Sequence, residues 1–568
     1  MSKIRNKIYC LLSISLVFYS VTSFAQDLAS ENHWDKNLEG KIIRNIYVRT
    51  LNVAESFDEK ENITDSSWFK NLTNSLHYKT RDWIIKERLI FNTGDKLNFR
   101  DVYESERLLR STNLFVEVKI NILSVTSSVE QVDVEIITKD RWTITLLSKY
   151  NPNNKSGNLG LKDNNFIGLG HSSDVILSYN NDPAIGWGGR FRYTAPNIKG
   201  SYIDAGLRLE ANKKFTVKSI NVSRPFITYK TEWIGGVELR GERNTIDILD
   251  TNDALISRSL SKSMMDLWIG KSFPISINNE LFINNSNLLT SIRVFSRNHS
   301  ERPLPPAELR IFENSTMLLL GAGIISRNFY RDKFVKDFGV TEDIPYGTLI
   351  SFASGLEKRE LSNRWYFGFE GIYSNWFDDF GYFSGRIGFG IFKGKDSWEQ
   401  NTFNLNFLYH TYLYRWKIWT YRLFFNYDLL IGYNRLSGEK IHLNSSTGLR
   451  GINEILLEGT KRMVINSEAR IFSPYQFLGF ILGGIALVDL GFIDDVNRNI
   501  FSSRFYQAYG AGFRIKNESI INAAFELVFV FNPYNPQNKG AAFSVLLSTN
   551  FEIGIRDIGY SKPFIEPF

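Results

Sequence analysis

The chain has 568 residues, 14% of them aromatic, and its 67 lysines and arginines outnumber its 60 aspartates and glutamates by seven. A strongly basic composition would be an argument for a nucleic-acid partner, but so small a basic excess gives none. The only cysteine, Cys10, lies near the start, so the rest of the chain offers neither disulfides nor cysteine metal sites.

The first 25 residues have the composition of a secretory signal peptide. Three basic residues, Lys3, Arg5 and Lys7, precede an apolar stretch over positions 8–18, and small residues end the segment at Ala25. A membrane anchor is the alternative, but this stretch is shorter than the roughly 20 apolar residues that a bilayer crossing needs. We therefore expect export and removal of this segment, which leaves 64 basic against 60 acidic residues.

The pattern between residues 41 and 140 predicts one small α+β domain, which a linker over residues 26–40 precedes. Apolar residues recur at helical spacing in two segments and alternate with polar residues in three others. The predicted elements are, in order, a strand at 42–53, helices at 81–91 and 99–109, and strands at 115–125 and 131–138.

Three phrases in this domain, together with the order of its elements, resemble a POTRA domain. The phrases are RLIFNTGD at 88–95, ESERLLRSTNLF at 104–115 and VDVE at 132–135. Gly94 is expected to allow the turn between the helices, and Leu108, Leu109 and Phe115 to bury the second helix against the sheet. An unrelated α+β domain is the alternative reading.

Beyond residue 141, apolar and polar residues alternate with a period of two almost to the end of the chain. The pattern is clear at 203–210, 382–391, 402–410 and 521–531. Strands as long as these segments suit a tilted membrane crossing. In lipid such strands have to form a barrel, because every backbone group must be paired. We expect about 20 strands, 15 before a long loop at 433–461 and five after it. Because an odd number of strands precedes the loop, the loop lies outside the cell if the N-terminus is periplasmic.

Motifs in the C-terminal part of the chain resemble the BamA/TamA superfamily of outer-membrane assembly and secretion proteins. They are LRGI at 449–452, SEARIF at 467–472, ALVDLG at 486–491 and YGAGFR at 509–514, with DNNFIG at 163–168 as an early turn. The first motif departs from the family pattern, because Ile452 stands where relatives have an aromatic residue. The resemblance implies a membrane all-β barrel, with sixteen antiparallel strands as the family norm, preceded by one POTRA domain.

The motif residues Arg450, Gly451, Glu468 and Asp489 are predicted to hold the long loop inside the barrel. An arginine buried in the lumen needs carboxylate partners, and its planar fork suits a two-bond pair. Glu468 and Asp489 fall on the inward phase of the next two strands, so we expect Arg450 to pair with one or both. The alternative is three solvated charges on the wall of a pore.

Alternating residues near the C-terminus end on an aromatic residue and resemble the β-signal of outer-membrane barrels. These residues are Phe543, Val545, Leu547, Thr549 and Phe551. The chain then continues as a tail over residues 552–568. The tail extends the last strand, plugs the lumen or engages a partner, and Phe568 is itself a candidate terminal signal.

No catalytic motif is found, and the six histidines are scattered, so we predict no enzyme activity, metal site or cofactor. The resemblance implies an outer-membrane insertase or translocation barrel, with the POTRA domain in the periplasm. That domain would capture extended segments by strand addition, and a seam between the first and last strands would open to lipid. The implied partners are unfolded outer-membrane or secreted client proteins, the lipid bilayer with lipopolysaccharide, and periplasmic accessory proteins or chaperones. A passive porin or small-solute channel is the alternative, and an adhesin is a third possibility.

Overall fold

The protein consists of a small three-stranded sheet with two helices, followed by a large antiparallel sheet whose strand order closes on itself. The computed structural model describes residues 34–53, 77–125, 129–151, 155–249, 255–277, 286–306, 308–377, 380–443, 448–452, 457–477, 480–495, 500–517, 525–536, 539–548, 555–560 and 562–568. The expected signal peptide, most of the linker, Thr549 and Phe551 lie outside the described residues.

The N-terminal unit, defined as the described residues between 34 and 140, contains a three-stranded sheet in the order β1-β3-β2. Its elements are β1 (Ile42–Leu51), α1 (Asp82–Lys86), α2 (Phe99–Ser111), β2 (Phe115–Ser124) and β3 (Gln131–Asp140), with a 3-10 turn at Lys36–Leu38. Strand β1 is parallel and β2 antiparallel to the central β3. The expected helix at 81–91 is wrong in length, because α1 ends at Lys86. Phe91 and Leu97 reach the core from irregular chain instead.

Helix α2 packs its apolar face on this sheet. Leu109 and Phe115 share the core of the unit, and Leu108 is buried as well. The side chain of Asn98 caps the helix by accepting a hydrogen bond from its first turn, which satisfies one of the amides that have no partner inside the helix. Gly94, between α1 and α2, has a φ of +92°, a conformation that glycine adopts without steric cost.

The rest of the chain is built almost entirely of strands. They are β4 (Ile144–Asn151), β5 (Ser156–Asp163), β6 (Ser172–Asn180), β7 (Gly186–Ala195), β8 (Asp204–Ala211), β9 (Phe215–Arg224), β10 (Trp233–Leu249), β11 (Leu255–Ile275), β12 (Ser286–Glu301), β13 (Ser315–Asp332), β14 (Glu342–Arg359), β15 (Asn363–Phe377), β16 (Gly381–Lys393), β17 (Trp398–His410), β18 (Tyr414–Trp416), β19 (Trp419–Tyr433), β20 (Ile441–His442), β21 (Glu458–Gly459), β22 (Lys461–Phe477), β23 (Phe480–Asp494), β24 (Tyr506–Lys516), β25 (Phe525–Asn535) and β26 (Gly540–Ser548). Short 3-10 turns lie at Phe166–Gly168, Ile198–Gly200, Arg310–Phe312 and Ile500–Ser502.

The barrel strands pair in chain order, with β19 next to β22, and the order returns from β26 to β4. Strands β17 and β18 both pair with β19 and together count as one interrupted strand. The short β20 and β21 form a separate ribbon within the long loop. Counted this way, the described residues give 20 barrel strands, 15 before the loop and five after it. The count from alternation is confirmed, and the family norm of sixteen is wrong for this chain.

The barrel presents apolar side chains outward and charged side chains inward. Leu320 and Phe352 are 61% and 57% exposed on the outer face. Arg422, Arg470 and Arg514 are among the largest fully buried side chains of the described residues. An apolar exterior around a polar interior is typical of a transmembrane β-barrel. In the described part of the chain, no helix is long and apolar enough to cross a membrane.

The N-terminal unit and the long loop lie at opposite ends of the barrel. Turns between strands touch the unit at one end, where the Asn165 amide donates to the Thr80 hydroxyl at 2.9 Å and the Asn197 amide donates to the Glu87 carbonyl at 3.0 Å. The loop between β19 and β22 joins the other ends of these antiparallel strands. The two parts therefore approach the lumen from opposite sides.

The C-terminal tail lies in the lumen. Tyr560 shares an apolar cluster with inward residues such as Leu289 on β12 and Leu349 on β14. Glu566 pairs with Arg386 on the inner face of β16. Of the alternatives for the tail, the described residues 555–560 and 562–568 are in the position of a plug, and none of them extends β26.

Candidate functional site

Arg450, on the long loop, lies inside the barrel between two carboxylates. Its guanidinium Nε and Nη2 donate to the two oxygens of Asp489 at 2.9 and 2.7 Å, and its Nη1 donates to Glu468 at 2.6 Å. Its backbone N–H also donates to Asp489, at 3.0 Å. Both carboxylate side chains are fully buried, and that of Arg450 is 13% exposed. We call these three residues the Arg450 cluster.

Two neighbouring strands supply the carboxylates of the cluster. Glu468 on β22 and Asp489 on β23 point inward from adjacent positions, since Asp489 lies opposite Asn466 and therefore two residues from the partner of Glu468. Glu468 also accepts a hydrogen bond from Arg470 Nε at 2.5 Å. The Asn466 amide donates to the Gly448 carbonyl at 3.2 Å. Buried charges are tolerated when they are paired and hydrogen-bonded in this way.

Gly451 brings the tip of the long loop against the last two strands. Its φ is +78°, and a Cβ at this position would lie 2.8 Å from Val530 Cγ1 on β25. The Gly451 carbonyl accepts a hydrogen bond from the Ser544 hydroxyl on β26 at 3.0 Å. Together with the Arg450 cluster, these contacts connect the loop to β22, β23, β25 and β26.

An apolar cluster supports the loop on the side of β23. Leu449 and Ile452 are buried together with Leu443 and Leu457, which also belong to the loop. Gly491 on β23 provides the space, because a Cβ there would overlap the end of the Leu449 side chain. Ile452, the departure from the motif, is buried within this cluster.

Replacing Gly491 with valine is expected to push the long loop away from the wall. The added methyl groups overlap Leu449, and overpacking of this kind costs about 1–3 kcal/mol. We expect a lower melting temperature and faster proteolysis within residues 433–461 of the purified protein. Gly241→Val on β10 is the control, because nothing lies within 4 Å of a Cβ at that position. Equal effects of the two substitutions would contradict this explanation.

A second segment, which the sequence analysis missed, enters the lumen from the other end. The turn between β13 and β14, residues 333–341, carries the buried Val335 and Phe338. The Val335 carbonyl accepts from Arg470 Nη1 at 2.6 Å, and Phe338 packs edge-on against Phe472 with ring centroids 5.1 Å apart. Arg470 thus connects this inward turn to Glu468 and the Arg450 cluster. The signal in the sequence was an apolar pattern in a turn, where a polar one is usual.

The N-terminal unit is fastened to the barrel by a buried charge network. Arg110 on α2 donates to both oxygens of Asp343 on β14, at 2.8 and 2.7 Å, and to Glu106 at 2.5 Å. Arg331 on β13 reaches the same oxygen of Glu106 at 2.7 Å. All four side chains are no more than 10% exposed. Burial of this kind fixes the orientation of α2 on the barrel rim.

Tyr103 on α2 donates a hydrogen bond to a strand of the barrel at a position that lies opposite a proline on the neighbouring strand. Phe329 on β13 lies opposite Pro345 on β14, and a proline has no N–H to donate. The Phe329 carbonyl accepts from the Tyr103 hydroxyl at 2.9 Å. Burial raises the pKa of Tyr103 to about 12, so the hydroxyl remains a donor at neutral pH.

Replacing Tyr103 with phenylalanine is expected to weaken the docking of α2 slightly. Loss of one such hydrogen bond costs about 0.5–1.5 kcal/mol, which hydrogen exchange of the α2 amides should register as faster opening. Tyr47→Phe on β1 is the control, because Tyr47 is 51% exposed. Unchanged exchange in α2 of the Tyr103 variant would show that the bond contributes nothing to docking.

Three solved structures are similar to this chain over most of its length. BamA from Haemophilus ducreyi lacking POTRA domains 1-3 is 12% identical, with 88% of this chain and 85% of that one covered and a TM-score of 0.35. CdiB from Acinetobacter baumannii is 10% identical, with 95% and 97% covered and a TM-score of 0.42. CdiB from Escherichia coli is 11% identical, with 89% and 75% covered and a TM-score of 0.45.

No family model and no curated protein matches the chain.

The residues of the expected β-signal lie on or after the last strand. Phe543 and Val545 on β26 are 83% and 58% exposed on the outer face. Leu547 belongs to the same strand, which ends at Ser548. Thr549 and Phe551 lie outside the described residues.

Among the residues that the structure describes, no group of three or more histidines, cysteines or carboxylates could hold a metal ion.

Proposed function

We propose that this protein is an outer-membrane barrel that inserts or translocates client proteins, and that it belongs to the BamA/TamA superfamily. The observation that carries the proposal is the Arg450 cluster. It fixes a long loop inside the lumen and connects it, through Gly451 and Ser544, to the last strand of the barrel. A passive pore gains nothing from such a loop, because the loop obstructs the path that a solute would take.

The seam between β26 and β4 is the proposed exit to lipid. These strands are neighbours in the barrel order although they are far apart in the sequence. The loop tip holds β26 from inside, through the bond of 3.0 Å between Ser544 and the Gly451 carbonyl. Release of the loop would therefore loosen one side of the seam. This gives the Arg450 cluster a mechanical role in addition to a structural one.

The N-terminal unit is proposed to act as a POTRA domain that captures extended segments by strand addition. Strands β1 and β2 are the edges of its sheet. On β2, the Ile120 amide already donates to Glu106 at 3.1 Å, and Glu117 accepts from Thr341 of the barrel at 2.9 Å. The start of β1 is also bonded, because the Ile43 N–H donates to the Asp95 carbonyl at 3.0 Å. The later part of β1, where Tyr47 is exposed, is therefore our candidate edge for unfolded outer-membrane or secreted clients.

Depletion of the protein followed by a census of outer-membrane proteins tests insertion directly. We expect a defined set of barrels or secreted proteins to be lost, and to return when the wild-type protein or the Arg302→Ala variant is supplied. Arg302 and Glu360 follow the ends of β12 and β14 and form a more exposed two-bond pair, at 2.7 and 2.6 Å. This pair is the matched control for Arg450. The Arg450→Ala variant should not restore the clients. If depletion removes no client, the proposed function is wrong.

Conductance in planar bilayers separates this proposal from a porin. A lumen filled by the long loop, the inward turn and the tail should give low and fluctuating currents. A steady, large conductance of the wild-type protein would favour the passive channel.

A further inference from the structure

The described residues of the C-terminal tail, 555–560 and 562–568, cross the lumen without joining the sheet. These residues form neither helix nor strand, and the order of the barrel strands is complete without them. Near the N-terminal unit, Asp557 pairs with Arg327 at 3.1 Å. Toward the long loop, the guanidinium carbon of Arg435 lies 3.8 Å from the ring centre of Phe568. The tail thus spans the lumen as a separate segment.

Two charged side chains of the tail meet opposite charges on the wall. Lys562 donates to Asp266 on β11, which also accepts two bonds from Arg293 at 2.7 and 2.9 Å. Four residues later, Glu566 accepts from both terminal nitrogens of Arg386 on β16, at 2.9 and 2.7 Å. The Glu566 side chain is fully buried. The wall therefore provides an acidic and a basic position at the spacing of the tail charges.

The wall also recognises the backbone of the tail. Arg293 donates to the Pro563 carbonyl at 2.8 Å, and the Tyr366 hydroxyl accepts from the Glu566 amide at 2.9 Å. Contacts of this kind suit an extended chain, because they leave its side chains free to occupy separate pockets. Phe564 and Ile565 pack against such a pocket around Tyr366.

Inward-facing glycines make room along the path of the tail. The positions, with the atoms that a Cβ there would approach, are Gly321 with the Tyr560 hydroxyl at 2.6 Å, Gly388 with the Glu566 carboxylate at 2.5 Å, Gly390 with Glu566 Cβ at 2.7 Å, and Gly432 with the Phe568 ring. Glycine weakens a strand and often marks a close approach of another chain. Here the glycines lie on three strands, β13, β16 and β19, all facing the same segment. These glycines therefore form a groove in the inner wall that accommodates the tail, and larger residues at the same positions would block it.

We propose that the inner wall from β11 to β19 is a binding site for an extended peptide, with the tail as its ligand bound in cis. The pattern it recognises is a cation, a carboxylate four residues later, and an aromatic residue two positions after the carboxylate. A peptide of this chemistry exchanges with the tail once the tail is detached from β26. The inference rests on the lumen contacts and holds whether or not the barrel inserts clients.

A protease site inserted between residues 554 and 555 of the full-length protein tests the exchange. The protein folds with its tail in place and is then cleaved in detergent. A fluorescent synthetic peptide of residues 555–568 is the probe, and anisotropy measures its binding. Two carboxylates of the tail give a test and its matched control. Glu566, whose side chain is fully buried in its pair with Arg386, is the tested residue, and Asp557, which is 61% exposed, is the control.

We expect the cleaved protein to bind the labelled peptide and the uncleaved protein to exclude it. A Glu566→Gln peptide should bind at least about ten-fold more weakly, because it loses a two-bond charged pair. An Asp557→Asn peptide should bind within about two-fold of the wild-type peptide, since exposed pairs contribute little. Failure of the cleaved protein to bind the wild-type peptide, or equal weakening by both substitutions, would overturn the proposal.

Conductance of the uncut full-length protein provides a second test that needs no inserted site. Glu566→Gln should increase the frequency of open events in a planar bilayer, because the tail leaves its groove more often. Asp557→Asn should leave the record unchanged. Identical records for the wild-type protein and the Glu566 variant would show that the tail is a fixed part of the wall and contradict the exchange.

Discussion

Replacing Arg450 with alanine is expected to free the long loop and to reduce the amount of folded protein in the membrane. Asp489 would lose three hydrogen bonds, two from the guanidinium and one from a backbone N–H that the loop then carries away. Glu468 would keep Arg470 as a partner. Leaving a buried carboxylate without its counter-charge costs about 3–5 kcal/mol. That is a large part of the roughly 5–15 kcal/mol by which proteins are usually stable.

Lysine at position 450 should restore only part of this loss. It keeps the positive charge but has a single nitrogen at its end, whereas Arg450 uses Nε, Nη1 and Nη2 on two carboxylates. We therefore expect stability to fall from the wild type through Arg450→Lys to Arg450→Ala. Two measurements check this order. One is the unfolding temperature of the barrel, read from the loss of the faster-migrating folded band in a gel, and the other is the rate of proteolysis of the long loop.

The control for this series is Arg302→Ala. Arg302 makes an equally short two-bond pair with Glu360, but in a more exposed setting on the loops. Exposed pairs contribute about 0–1 kcal/mol, so this variant should behave as the wild type does. The double variant Arg450→Ala/Asp489→Ala should lose less than the sum of the single variants, because the stranded carboxylate is gone. Similar behaviour of the Arg450 and Arg302 variants would remove the special role of the cluster.

The number of barrel strands was predictable because each strand faces two different environments. Outward residues such as Leu320 meet lipid and inward residues such as Arg386 meet the polar lumen, and this difference appears in the sequence as a period of two. Counting the runs gave 15 strands before the long loop and five after it, as in the structure. The family norm of sixteen failed because resemblance concentrates in the C-terminal strands and does not count those before them.

The Arg450 cluster was accessible to sequence analysis for a different reason. Its arginine and carboxylates belong to short motifs, and their inward phase follows from the same alternation. The path of the tail was not accessible, because Glu566 and Arg386 lie 180 positions apart and no periodic signal connects them. The inward turn posed the same problem, since the contact of Val335 with Arg470 depends on how deep the turn reaches. The length of α1 was overestimated because Phe91 has a place in the core without being helical.

Replacing Arg110 with alanine is expected to loosen the N-terminal unit from the barrel while both parts remain folded. The substitution removes the hydrogen-bonded counter-charge of Asp343 on the barrel side of the interface. Glu106 keeps Arg331 at 2.7 Å, so the damage falls on the interface and spares the core of the unit. Desolvating Asp343 without its partner costs about 3–5 kcal/mol, and undocking the unit restores its access to water. We therefore expect faster hydrogen exchange in α2 and new proteolytic cleavage between the unit and the barrel.

The control for docking is Arg44→Ala, which breaks an arginine–aspartate pair within the unit itself. Arg44 binds Asp133 on the sheet, and its side chain is 39% exposed. This variant should leave exchange in α2 unchanged. Arg110→Lys should give an intermediate result, since it keeps the charge and loses the second bond to Asp343. Because the inward turn contacts Glu117 of the unit through Thr341 and Arg470 through Val335, undocking should also raise proteolysis of the long loop. Faster exchange in α2 with an unchanged long loop would mean that the two ends of the barrel are independent.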